Sequence, residues 1–215
     1  MPASPAQQGQ RLLDLVAVQD RLRSPGGCPW DAQQTHESLV PYLLEEAYEC
    51  VEAIESGDRS HLREELGDLL MQIVFHARVA AEDPTDPFTI DDVAADITDK
   101  LVRRHPHVFA DADASTPAEV EANWEQLKTA EKGRTSVVEG IPLAQPALAL
   151  SDALWRRAER AGAPADLMPA GDDFGAQLFR VVAEARAAGI EPETALRATA
   201  RAFRDRVQDW ERSRG

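Results

Sequence analysis

Apolar residues recur at three- and four-residue intervals along almost the whole chain, and no segment alternates with period two. Such spacing lines apolar side chains along one stripe of a helix and argues against half-buried strands. The sequence therefore predicts an all-α fold, with short connections that favour antiparallel packing of successive helices. Leu12, Leu13, Leu15, Val16 and Val18 mark a first helix that stops before the breaker cluster Ser24-Pro25-Gly26-Gly27. Thr35 can cap a second helix, with Ser38 at the third position. The stripe of that helix is Leu39, Leu43, Ala47, Cys50, Val51 and Ile54, and Ser56-Gly57-Asp58 ends it. A third helix runs from about Ser60 to Ala81, with Leu62, Leu66, Leu69, Leu70, Ile73, Val74 and Ala77 as its expected buried face. A fourth starts near Thr89 and stops around His105-Pro106, since proline lacks an amide donor and restricts the residue before it. Thr116-Pro117 reads as cap and first residue of a fifth helix reaching about Glu131. After a linker at Gly140 to Pro146, helical stretches are expected at about 147–161, 172–188 and 192–212.

Charge divides this helical chain in two. Of its 215 residues, 38 are acidic and 23 basic, a formal charge of −15. Residues 1–148 hold 27 acidic and 12 basic residues, whereas residues 149–215 hold 11 of each. The whole excess thus lies in the first part, densest over residues 31–70, where 11 acids face only Arg59 and Arg63. A surface of this sign argues against stable nucleic-acid binding. Cys28 and Cys50 are too few for a disulfide framework or a thiolate zinc site. No apolar run reaches membrane-spanning length, and residues 1–10 lack a signal-like apolar core, so a cytoplasmic protein with no membrane partner is expected.

The acids are patterned as well as abundant. Glu45, Glu46 and Glu49 form an E-E-x-x-E run on the second helix, and Glu65 with Asp68 forms an E-x-x-D pair on the third. Residues three or four apart share a helix face. On antiparallel neighbours joined by a short turn, the two clusters can meet in one groove. Four converging carboxylates cannot all stay ionised without a cation, because each raises the pKa of the others. Oxygen-only ligands suit Mg²⁺ or Mn²⁺, and Mg²⁺ commonly shares its coordination with substrate phosphates. Neither cluster contains the His expected of a di-iron bundle. The competing reading is a solvated helix face. Against it stand the missing i+4 lysines on the second helix and Gly67, which costs about 1 kcal/mol in a helix and suggests close helix approach.

The scarce bases of this part gain weight from their spacing. Lys100 and Arg104 lie one turn apart on the fourth helix, and Trp124 and Lys128 repeat the spacing on the fifth. Cations can hold a triphosphate and an indole can stack on a base; helix-end charge and core packing are the alternatives. The histidines form no metal-like pair, and His76 is expected to be a satisfied, half-buried side chain. Phosphate-loop, dinucleotide-fold and serine-hydrolase signatures are absent from the sequence.

Read in order, Cys28-Pro29-Trp30-Asp31, Gln34-Thr35-His36, Leu43 to Glu49, Arg63 to Leu70, Asp99-Lys100-Leu101, Arg103 to Phe109 and Trp124-Glu125 with Lys128 resemble the MazG nucleoside triphosphate pyrophosphohydrolases. The resemblance covers roughly residues 10–134. It implies an all-α, four-helix-bundle domain, a homodimer or larger oligomer, and Mg²⁺-dependent conversion of an NTP or dNTP to the monophosphate and pyrophosphate. It implies metal ligation by Glu46, Glu49, Glu65 and Asp68, a catalytic role for Glu45 or Glu49, and substrate contacts from Lys100, Arg104, Trp124 and Lys128. The expected organisation is a catalytic domain over 10–138 and a degenerate second repeat over 139–215, structural or oligomer-forming. Residues 66–78 can be laid on 174–186 at an offset of 108, which sets Asp173 at the position of Glu65 and Ala176 at that of Asp68. The second part has no E-E-x-x-E run, so one active-site type is expected. The alternative is a nucleotide-responsive helical binding or regulatory protein with little turnover.

Overall fold

The computed structural model describes residues 9–110, 116–117, 119–120, 124 and 135–214, which form helices and turns and no strand. They divide into two compact units, Met1–Glu121 and Ala122–Gly215. No helix among the described residues is long and apolar enough to cross a membrane.

The first unit contains α1 (Gln10–Arg23), α2 (His36–Ser56), α3 (Arg59–Ala80), α4 (Ile90–Arg104) and the single turn α5 (Pro106–Phe109). Local chemistry sets their ends. Thr35 and Ser38 form a reciprocal capping box at α2, and Thr89 and Asp92 form another at α4. Asp58 caps α3 by accepting from the amides of Ser60 and His61. Gly57 closes α2 with φ 74°, a left-handed conformation that glycine reaches without a Cβ penalty, and reverses the chain into α3 within two residues. After α1 the chain folds back so tightly that a Cβ on Gly27 would meet the Leu22 carbonyl oxygen at 2.2 Å.

Helices α2 and α3 form the antiparallel hairpin at the centre of the unit, and α1 and α4 both pack on α3. Leu39, Cys50 and Ala53 of α2 and Val74, Phe75, Ala77 and Ala80 of α3 make the core. An arginine pair ties α1 to this hairpin. Arg23, its side chain only 7% exposed, donates to the carbonyls of Asp31 (2.6 Å) and Gln34 (3.0 Å) and forks onto both Glu82 oxygens. Arg78 joins Asp20 of α1 at 2.7 Å and Glu82 at 2.8 Å. These hydrogen bonds, Arg23's foremost, hold the Glu82 carboxyl below its usual range. The Cys-Pro-Trp-Asp segment is thereby fixed, and Trp30 packs edge-on to Tyr42 (5.7 Å) and Phe75 (6.5 Å).

The buried face of α3 differs from the expected one. Leu66, Leu70 and Ile73 are exposed, as is Ile54 of α2, while Glu65 and Gln72 are buried. Periodicity marks an apolar stripe without saying what covers it, and here one chain leaves part of the stripe open. Gly67 lies on that open side. A Cβ there would meet nothing within 4 Å, so no close helix approach within this unit explains it.

In the second unit, α6 (Ala147–Arg160), α7 (Phe174–Ala187) and α8 (Pro192–Arg212) pack on one another. Ala153, Ala176 and Val182 are buried. Arg186 of α7 reaches Asp152 (3.3 Å) and Glu159 (3.4 Å) of α6. Between α6 and α7 stands only a short helical turn, Ala165–Leu167. The expected helix from Thr116 to about Glu131 lies largely outside the described residues. Its start is described: Thr116 and Glu119 exchange the two hydrogen bonds of a capping box.

Candidate metal centre

The Gly57 turn sets α2 and α3 side by side in opposite directions, which brings the two acidic runs to the same height. Glu46, Glu49 and Glu65 each offer a carboxylate oxygen within 4.8 Å of the others'. Asp68 stands outside this tight group but acts on it: it is the strongest like charge on Glu46. Glu45 is exposed and adds a weaker repulsion.

The electrostatics are those of a site short of positive charge. Burial pushes the Glu46 carboxyl above its usual range, and Asp68, Glu49, Glu65 and Glu45 push it further. Glu65 is only 6% exposed, and burial followed by the charge of Glu49 raises it as well. A cation among these oxygens would relieve both penalties, since it favours ionised carboxylates where burial and mutual repulsion oppose them. The donors are oxygen alone, the set that suits a hard divalent ion.

His61 belongs to this site although the sequence pattern did not single it out. It lies one turn before Glu65 on α3, and its Nε2 sits 2.8 Å from Glu65 Oε1. The contact works against burial by lowering the Glu65 carboxyl, and it orients that carboxylate. The signal was present as an i, i+4 His–Glu pair, but no metal motif of histidines drew attention to it.

The remaining predicted residues are placed less tightly. Lys100 is half-buried and Arg104 is buried on one face of α4, the helix packed against α3. Trp124 is half-buried and helical and belongs to the second unit. Lys128 lies outside the described residues. His76 departs from its expected satisfied state: its Nδ1 meets His36, but its Nε2 is buried without a partner.

Residues 34–109, which contain the acidic runs and most of α4, match the model of the MazG nucleotide pyrophosphohydrolase domain. The chain is 39% identical over 221 residues to the nucleoside triphosphate pyrophosphohydrolase/pyrophosphatase MazG of Thermotoga maritima, covering 92% of this chain and 84% of that protein. It is 43% identical over 211 residues to the nucleoside triphosphate pyrophosphohydrolase of Mycobacterium tuberculosis, covering 98% of this chain and 61% of that one. An uncharacterised protein of Streptomyces cacaoi is 52% identical over 209 residues, with 97% and 86% coverage. The chain belongs to the MazG family. It spans about three fifths of its mycobacterial relatives and more than four fifths of the Thermotoga and Streptomyces proteins.

Proposed function

We propose that this chain is a cytoplasmic, Mg²⁺-dependent nucleoside triphosphate pyrophosphohydrolase that converts NTPs or dNTPs to monophosphates and pyrophosphate, a reaction suited to clearing nucleotide pools. The observation that carries this reading is the convergence of Glu46, Glu49 and Glu65 within 4.8 Å, inside the segment that matches the family. Glu46, Glu49, Glu65 and Asp68 would hold Mg²⁺, with Mn²⁺ as a substitute. The ion supplies Lewis-acid polarisation of phosphate oxygens and a more acidic water when bound.

The chain's own residues supply the rest. Glu45 or Glu49 orients and deprotonates the attacking water. Attack at the α-phosphorus breaks its bond to the bridging oxygen and releases pyrophosphate; attack at the β-phosphorus would break the same bridge and release the monophosphate. Lys100, Arg104 and Lys128 stabilise the charge that develops on the departing pyrophosphate, the term expected to dominate phosphoryl transfer. Trp124 stacks on the base. Residues 10–138 serve as the catalytic domain, and residues 139–215 as a degenerate repeat with a structural or oligomer-forming role.

A second copy of the chain is the partner that suits α2 and α3. Leu44 and Tyr48 on α2 and Leu66, Leu70 and Ile73 on α3 are exposed, with Gly67 among them. Apolar faces of this kind on a soluble protein mark interaction sites. A homodimer would complete the bundle by packing one hairpin against another. Sedimentation of wild type and Leu70→Glu tests the oligomer, and a monomeric wild type would end that part of the reading. The activity is tested by pyrophosphate release from a panel of NTPs and dNTPs with and without Mg²⁺. Equal turnover without any divalent ion would overturn the metal-dependent mechanism.

A further inference from the structure

His36 and His76 face each other across the open end of the α2/α3 hairpin. His36 is the first residue of α2 and His76 lies in the last turns of α3. Their Nδ1 atoms are 2.8 Å apart. The ring planes differ by 1° and the centroids are 5.1 Å apart. The two ring radii plus the nitrogen gap account for that whole separation. The rings therefore meet edge to edge in one plane, with the two nitrogens pointing at each other, rather than face to face. A contact this short and straight between two nitrogens requires one proton between them, donated by one ring and accepted by the other.

We propose that this shared proton makes His36 and His76 a positioning pair that holds Glu46 and Glu49 in register with Glu65 and releases them in acid. The inference rests on the metal-site reading for its functional consequence, while the pair itself stands on its own geometry. Glu46 lies ten residues along α2 from His36, and Gly57 lies eight residues beyond Glu49. At 1.5 Å per residue these are about 15 and about 12 Å. The acidic cluster thus sits near the middle of a hairpin fixed at one end by the turn and at the other by the histidines. Near the free end the core contacts are apolar and non-directional. The imidazole pair adds a contact that has both direction and length.

Glu37 and Asp83 face His36. Asp83 is held at about 2 by hydrogen bonds from Thr85 and Asp86, so it stays ionised at any working pH. Both carboxylates lie on the His36 side, which suits that ring as the one whose Nδ1–H is donated to His76. The group facing His76 is His36 itself, and His76 Nε2 is buried without a partner. Burial first and His36 second hold the His76 imidazole below its ordinary 6.5. A further proton on His76 puts two N–H groups nose to nose and breaks the contact. The unfolded chain takes up this proton near 6.5, and the folded chain does so only lower. The pair's contribution to stability is therefore complete above about 6.5 and falls as the pH drops below it.

Two variants of the full chain test this. His76→Asn keeps a hydrogen-bonding amide where Nδ1 stood but cannot titrate; His76→Leu removes the contact. Urea unfolding between pH 5 and 8, without divalent ions, should show wild type losing more stability than His76→Asn as the pH falls below 6.5, because its unfolded chain takes up a proton that the folded chain resists. Calorimetry with Mg²⁺ alone at pH 7.5 should show His76→Asn binding like wild type and His76→Leu about tenfold more weakly. An equal loss of stability in wild type and His76→Asn would overturn the shared proton. Equal Mg²⁺ affinity in His76→Leu would overturn the positioning role. A wild type that binds no Mg²⁺ would sink the metal-site reading and the positioning role together, and the pH dependence of unfolding would still decide the pair.

Discussion

In α3, Glu65 is buried within reach of Glu46 and Glu49 and bonded to His61. At the matching place 108 residues on, Asp173 lies just outside α7 and caps it by accepting from the Ala176 amide at 3.0 Å. Ala176, opposite Asp68 in this alignment, is a buried methyl. Other matched positions behave alike. Val74 and Val182 are both almost wholly buried, and Arg78 and Arg186 both pair with carboxylates on the helix before the hairpin, α1 in one unit and α6 in the other. The difference lies in what stands beside the helix. Unit one sets α2 and its acids next to Glu65; unit two has only the Ala165–Leu167 turn in the corresponding stretch of chain. A carboxylate without acidic neighbours is free to serve as a helix cap, so chemistry here depends on the neighbouring helix more than on the residue type.

The largest test of that contrast is catalytic. Glu49→Gln and Glu65→Gln are expected to cut Mg²⁺-dependent pyrophosphate release by on the order of 10²–10³-fold. Asp173→Asn should leave it unchanged, and a comparable loss there would break the comparison. Next in size is the response to the ion. Glu46 and Glu65 are raised in the folded state, so without metal the folded chain holds protons that the unfolded chain has released above its ordinary 4.5. Their contribution is complete below about 4.5 and is lost as the pH rises through the raised values. Mg²⁺ should reverse this slope and, at a hundredfold excess over its dissociation constant, add about 2.7 kcal/mol. Thermal melts across pH with Mg²⁺ and with chelator measure it.

A smaller effect sharpens the second unit's side. Ala176→Asp should destabilise the protein by about 2 kcal/mol, because it buries a polar group without a partner, and it should create no added Mg²⁺ response in the same melts. The smallest concerns the shared framework. Arg78→Ala removes ion pairs of 2.7 and 2.8 Å and should cost about 1–2 kcal/mol. Arg186→Ala removes looser ones of 3.3 and 3.4 Å and should cost about 0.5 kcal/mol. Urea unfolding of both variants compares them, and an equal cost would show that the two arginines hold their units equally.

Much of the helical layout was legible because its signals are local. Thr35 with Ser38, Asp58, Gly57 and Thr89 each act on backbone groups within a few residues, and each ends or starts a helix where expected. The acidic pairing was legible because helix spacing and a short turn fix which residues share a height. Which apolar residues would be covered was not legible. Leu66, Leu70 and Ile73 carry the same periodic signal as Val74 and Ala77, yet they lie on the open side of α3. His61 and the His36–His76 pair were equally silent, the first because one histidine beside a glutamate is common, the second because its members are 40 residues apart.

Signals local to the chain set the helical class, most helix ends, the confinement of the negative charge to the first part and the carboxylates that can meet. The packing of whole helices drew three of those oxygens within 4.8 Å with Asp68 outside the group, set His61 against Glu65, and brought the Nδ1 atoms of two distant histidines to 2.8 Å. The two kinds of signal differ in range. Periodicity, caps and turns act along a few residues of chain, whereas convergence of charged groups depends on the angle and depth at which whole helices pack.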